Sequence, residues 1–424
     1  MSADTDAANE IEKTLTTDLS ADDAQNVQSR HYFALYTYHA NRPSVQDLGP
    51  DVDKNDSTVA NFLQREATSN RDFSLSVIAT DLVAEQETEL REFIFKRLSR
   101  GTVYGGSGNV NTVDISNDVL SCYYYLLRQQ TIPESDLDPD DPPSTFYTSI
   151  EYVICFLMGT SAALELFRPE LDAYSEGLLA VLDSEAKELT KIQSYLARWY
   201  QQAAEYVCRC TDRFQEDLSL LIHTALLDDK LNFLGGDEEV VSDVMKFVQV
   251  CSLSDLLQHM SDSDSNSQGT TSSEPTLIDL DASASVSHQS DGKTVTNSLR
   301  PVQLVFDGDT QQFQNAESSP FCEEWTRLLL TSNRENPANL RQIIEDCKLR
   351  TIQDLNTLKR LVRQAESDHY ALYRAFAFLR DCGNGGVLLR HIWKDENTIT
   401  SQDTQSVLHV LEEFISSNGT LARA

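Results

Sequence analysis

No proline occurs between Pro169 and Pro275, and a stretch that long without the residue that removes a backbone donor and locks φ is free to be helical along most of its length. Within it, Leu189, Ile192, Leu196, Trp199, Ala203, Tyr206 and Cys210 recur in alternating steps of three and four, after which the phase shifts to Phe214, Leu218 and Leu221. The spacing predicts one long packed helix whose apolar seam meets another helix of the same chain. A second seam, Leu355, Leu358, Val362, Ala365, His369, Leu372, Phe376 and Leu379, ends at the Gly383 to Gly386 cluster and predicts its counterpart. Residues 261 to 298, rich in Ser, Thr, Asp and Gln and without an aromatic residue, separate the two seams and read as a disordered acidic linker.

Upstream the periodicity changes. Residues 1 to 29 carry acidic side chains against a single Lys13 and read as a disordered acidic arm. His31 to Tyr38 is aromatic and β-prone, and Asp72 to Ala79 alternates apolar with small polar residues as a half-buried strand does. Glu85 to Arg100 has helical spacing, acids in its first turn and bases in its last, with Gly101 as its stop. Val110 to Ile115, Leu120 to Leu127 and Ile150 to Leu157 complete a set of strands. Between the last two, Ile132 to Pro143 holds four prolines and five carboxylates and must be a solvated loop. The order β, β, α, β, β, β, α resembles the longin-type arrangement of small trafficking domains. The fold class expected is therefore α+β: an N-terminal mixed β-sheet with helices over 30–182, a helical region over 183–260, the linker, and a mainly helical region over 299–424. In that last region a strand is expected near Val302 to Phe306, a helix near Phe321 to Leu330, a strand over Val387 to Trp393, and a short helix over Val407 to Ile415.

Charge restricts function. With 67 Asp plus Glu against 34 Lys plus Arg, the net charge of -33 disfavours nucleic acid and anionic lipid as partners and suits a basic one. No 18-residue apolar run offers a transmembrane segment, and the acidic N-terminus is unlike a secretory or mitochondrial signal. The eight cysteines sit among apolar neighbours and read as reduced core residues; Cys208 and Cys210, two apart on a helix, point about 200° from one another, which does not suit zinc. Gly101 to Gly108 follows a helix and lacks the lysine of a phosphate loop, so a helix stop and turn is the reading. His369, beside Asp368 on the inward seam, reads as a core histidine. No catalytic constellation, metal site or cofactor is indicated, and the chain is expected not to be an enzyme.

Two features suit binding instead. Ten basic residues lie between Arg341 and Lys394 (Arg341, Lys348, Arg350, Lys359, Arg360, Arg363, Arg374, Arg380, Arg390, Lys394), either a solvated helix face or a docking surface for an acidic partner or the chain's own acidic arm. In the linker, Leu277, Ile278, Asp279, Leu280 and Asp281 have the form of a clathrin box, an extended peptide whose alternate apolar side chains enter pockets on clathrin.

Blocks along the whole chain carry a resemblance. Arg30 to Tyr38, Glu89 to Ile94, Lys96 to Gly101, Glu151 to Leu157 and Leu164 to Arg168, then Phe321 to Trp325, Arg363 to Glu366, His369 to Leu372 and Val410 to Phe414, occur in the order seen in the Njmu-R protein family. The acidic arm, the loop at 131 to 145 and the linker at 261 to 298 are not matched, so the clathrin box is not inherited. The resemblance implies a non-enzymatic subunit of a trans-Golgi complex with a large WD40-repeat protein and a FAM-ninety-one protein. It implies that golgins and a TBC-domain golgin bridge capture endosome-derived AP-one vesicles there, and it places the protein on the cytoplasmic face of the trans-Golgi network and on cytoplasmic vesicles. A link to spermatogenesis goes with the family. From another class, the longin-type order alone would suit a stand-alone regulator binding a small GTPase.

Overall fold

The computed structural model describes residues 31–40, 73–100, 106–116, 118–128, 151–159, 164–182, 189–229, 231–254, 256–257, 304–308, 310, 312–315, 317–395 and 401–421. The chain divides into two compact units, Met1–Ala203 and Ala204–Ala424. The fold class is α+β, as the sequence indicates.

The first unit runs β1 (His31–Ala40), β2 (Phe73–Thr80), α1 (Ala84–Ser99), β3 (Asn109–Ile115), β4 (Asp118–Arg128) and β5 (Glu151–Gly159), then a 3-10 turn (Leu164–Phe167) and helices α2 (Arg168–Leu182), α3 (Leu189–Ala197) and α4 (Trp199–Ala203). This is the expected element order. The five strands form one sheet in the order β2-β1-β5-β4-β3. Every pairing in it is antiparallel, where a mixed sheet was expected. The first strand runs between β2 and β5, which brings the two ends of the sheet segment side by side in opposite directions.

The two central strands explain their own sequences. β4 and β5 are buried along almost their whole length, so both faces demand apolar residues and the strands read as continuous runs. Alternate residues serve opposite layers. Cys122, Tyr124, Val153, Cys155 and Leu157 pack with Leu90, Ile94 and Leu98 of α1. On the other face Tyr123 stacks on Phe156, and Phe156 on Trp199 of α4. Two tyrosines of β4 also tie down α2: Tyr123 donates to Asp172 at 2.6 Å and Tyr125 to Glu176 at 3.0 Å, carboxylates one helical turn apart.

The second unit holds α5 (Tyr206–Phe214), a 3-10 turn (Gln215–Asp217), α6 (Leu218–Leu227), β6 (Leu231–Leu234), α7 (Glu238–Cys251), β7 (Leu304–Asp307), β8 (Gln312–Gln314), α8 (Pro320–Thr331), α9 (Pro337–Ala365), α10 (His369–Cys382), α11 (Gly385–Lys394) and α12 (Gln402–Leu421). β6, β7 and β8 form a small sheet, with β6 and β7 parallel and β8 antiparallel. Leu355, Leu358, Leu361 and Val362 of α9 pack with Ala375 and Leu379 of α10, Leu388 and Ile392 of α11, and Leu408 and Leu411 of α12.

Four helical expectations need correction, the simplest being that the short helix expected over Val407 to Ile415 is the 20-residue α12. The predicted single helix over the first seam is instead α3, α4, α5 and α6; the shift of phase after Cys210 coincides with a break at Gln215, whose φ is +46°. The second seam is likewise divided, because Asp368 caps a new helix by accepting a hydrogen bond from the Tyr370 amide at 2.8 Å. Val387 to Trp393 belongs to α11 rather than to a strand: Val387, Leu388, Leu389, His391 and Ile392 are buried, and the burial of neighbouring residues four apart (Val387 with His391, Leu388 with Ile392) suits a helix and not the alternation of a strand.

Candidate interaction surfaces

α9 is the longest helix among the described residues. It starts where it does because Asn336 accepts hydrogen bonds from the amides of Ala338 and Asn339, at 3.1 and 3.3 Å, and Pro337 fills the first helical position. Its inward stripe turns the ten cations of the region to different fates. Arg341 and Lys348, 4% and 8% exposed, are buried and share the carboxylate of Glu345. Arg350 pairs with Asp354 at 3.2 Å and Lys359 with Asp395 at 2.6 Å. Arg380 pairs with its neighbour Asp381, Lys394 with Asp228, and Arg390 makes a two-pronged contact with Asp229, just past the end of α6, one prong 2.8 Å long.

That leaves Arg360, Arg363 and Arg374, exposed and without an ion pair among the described residues. They sit on the outer sides of two helices, α9 and α10, that pack as a hairpin. On the same hairpin Tyr370 and Tyr373 are each 67% exposed, unusual for a large ring. The sequence count of ten cations overstated the surface, since seven are held by carboxylates of the fold.

The other sequence candidates fall as follows. Leu277, Ile278, Asp279, Leu280 and Asp281 lie outside the described residues, as do the arm at 1–29, the linker at 261–298 and Gly101 to Gly105. His369 is exposed at the first position of α10, a correction to its inward placement: the cap at Asp368 resets the helical phase, so the ring leaves the seam that Leu372, Phe376 and Leu379 keep. Tyr370 and Tyr373 were missed for the same reason, and an Asp immediately before a tyrosine-bearing helical run was the available signal.

Gly108 has a packing role. Its amide donates to Asp172 at 2.9 Å, and a Cβ there would lie 2.1 Å from the Tyr123 ring, so the backbone must approach bare. The eight cysteines are unbridged and buried or half-buried. Burial pushes the thiols of Cys251, Cys322 and Cys208 up to about 12, so they stay protonated and are poor nucleophiles at neutral pH. Burial also lowers the pKa of His391, whose Nε2 donates to the Leu226 carbonyl at 2.6 Å, and of His223. Among the described residues no group of three or more His, Cys, Asp or Glu side chains could hold a metal ion, and no helix is long and apolar enough to cross a membrane.

An antiparallel sheet with helices on both faces in the first unit and a mainly helical second unit define an α+β protein. Comparison with known proteins then gives its kinship. The chain belongs to the Njmu-R1-like protein family, whose profile matches residues 33–293 and 277–417, so the match takes in the loop at 131 to 145 and the linker at 261 to 298, both of which were expected to fall outside it. It is 36% identical over 393 residues to Protein Njmu-R1 of Mus musculus, covering 91% of this chain and 90% of that protein. No solved structure matches.

Proposed function

We propose that this chain is a non-enzymatic subunit of a trans-Golgi complex that assists golgin-mediated capture and tethering of endosome-derived AP-one vesicles. Its companions are a large WD40-repeat protein and a FAM-ninety-one protein, with a TBC-domain golgin bridge beyond them, on the cytoplasmic face of the trans-Golgi network and of vesicles. Family membership across 91% of the chain carries the reading, because that complex is what the family resemblance implies. The protonated thiols and the hairpin of unpaired arginines and exposed tyrosines are in keeping with a protein that works by contact. Native pull-down with the full chain tests it. Recovery of the WD40-repeat and FAM subunits is expected, and a stoichiometric small GTPase with neither of them overturns it.

That second outcome corresponds to the alternative, a longin-type regulator, which the order β2-β1-β5-β4-β3 and its preceding element order favour. Clathrin is proposed as a further, weaker partner through Leu277 to Asp281. Titration of a peptide covering 270 to 290 against the clathrin terminal domain should give a signal that Leu277→Ala with Leu280→Ala removes. Equal signals from the two peptides would exclude that contact.

A further inference from the structure

We propose that the outer face of the α9–α10 hairpin, carrying Arg360, Arg363 and Arg374 with Tyr370 and Tyr373, is a docking surface for an acidic peptide segment of a partner protein. The inference goes beyond the trans-Golgi reading and does not need it. Three observations converge on it.

The first is electrostatic accounting by position. Seven cations of this region are matched by carboxylates of the fold, whereas these three guanidinium groups have no ion pair among the described residues. A guanidinium is a planar fork that donates two parallel hydrogen bonds to a carboxylate, so an unmatched one is a ready donor to acidic side chains. Arg360 and Arg363 are about 4.5 Å apart along the helix axis, close enough for one carboxylate or two neighbouring ones to engage both.

The second is the company they keep. Tyr370 and Tyr373 are each 67% exposed on the hairpin that holds the arginines. Tyrosine and arginine dominate the energetic centres of protein interfaces, since tyrosine buries a large ring at small entropy cost and keeps a polar tip. A face that only had to be solvated would have no use for two such rings.

The third is the setting. A net charge of -33 repels an acidic segment from most of the chain, so a cluster of cations on one hairpin is favoured both by its own attraction and by repulsion elsewhere. Arg100, Arg213 and Arg327 are also exposed and lack ion pairs among the described residues, but they lie in or at the end of three separate helices, none of which carries a pair of exposed aromatic residues.

Fluorescence anisotropy of fluorescein-labelled octaglutamate titrated with the full chain tests this. Binding in the range of about tens of micromolar, weakening as salt rises, is expected. The triple variant Arg360→Glu, Arg363→Glu, Arg374→Glu should raise Kd by about tenfold or more. A control of equal charge change, Arg100→Glu, Arg213→Glu, Arg327→Glu, should stay within about twofold. Circular dichroism checks that each variant is folded, and Arg→Gln at the same three positions replaces the reversal if that variant is not. Equal losses in the two triple variants would reduce the effect to net charge and overturn the proposal. So would no binding by the unaltered chain, whether the face is inert or covered by the chain's own acidic segments or a second copy. Binding to phosphatidylserine vesicles without binding to the peptide would assign the face to a membrane and overturn it as well.

Discussion

Arg390→Ala should unfold the second unit far more readily while leaving peptide binding at the α9–α10 hairpin intact. Arg390 and Asp229 join α11 to the end of α6, residues 161 apart in sequence, and their side chains are only 17% and 6% exposed. Truncating the arginine leaves the Asp229 carboxylate buried and unpaired, which costs about 3–5 kcal/mol when one partner of a buried ion pair is lost. At about 1.4 kcal/mol per factor of ten, the unfolded fraction of this unit should rise by roughly two to three and a half orders of magnitude. A neighbouring pair on the same two elements sets the scale. Lys394 and Asp228 are 45% and 54% exposed, so Lys394→Ala should cost about 0–1 kcal/mol. Urea denaturation in a Trp199→Phe background, where fluorescence comes from Trp325 and Trp393 alone, reads the second unit, both residues lying within it. Removing both charges, Arg390→Ala with Asp229→Ala, should recover part of the loss, because no orphan charge then remains. A cost below about 1 kcal/mol for Arg390→Ala alone would refute the claim that burial makes this pair structural.

Other consequences are as direct. Gly108→Ala should destabilise the sheet unit by about 1–3 kcal/mol, seen as a lower thermal midpoint, because the added carbon would meet the Tyr123 ring at 2.1 Å. Gln215→Gly should stabilise the second unit by about 1 kcal/mol in the same urea assay, since Gln215 holds φ at +46° between two helices. His391 should make stability fall in acid. Burial lowers its folded pKa below the usual 6.5, so its contribution is complete above pH 6.5 and is lost as pH falls from there through the folded value. Denaturation midpoints from pH 8 to 5 should drop less steeply for His391→Gln, with buried His223 keeping a residual slope of the same sign.

How far the fold could be read in advance follows from which interactions are local. β4 and β5 were legible as apolar runs because central strands covered on both faces have no polar side to show. Their direction was not legible, since β1 enters between β2 and β5 only through pairings such as Phe33 with Phe156, far apart in sequence. The breaks in the first helical seam had no Pro or Gly to announce them: Gln215 takes its left-handed φ because the flanking seams of α5 and α6 are both buried and out of phase. Val387 to Trp393 misled in the opposite way, because short apolar runs satisfy both periods and the burial of Leu388 and Ile392 together with Val387 and His391, which distinguishes a helix, depends on what packs around it.

The hairpin surface shows the same division between composition and place. That cations concentrate between Arg341 and Lys394 is visible in the sequence; which of them face solvent unmatched is not, because the carboxylates that claim Arg390 and Lys394 arrive from more than 160 residues away. Buried pairs such as Arg390 with Asp229 hold helices together in a chain whose excess negative charge works against compactness. An arginine left out of that network contributes little to holding the fold and is free to meet a carboxylate brought by another molecule. The two kinds of cation therefore separate by experiment: Arg390→Ala should change stability and not octaglutamate affinity, and Arg363→Glu should change affinity and not stability. If both substitutions moved both quantities together, a partner's presence in the exposed set of cations, and not in the buried one, would have no physical basis.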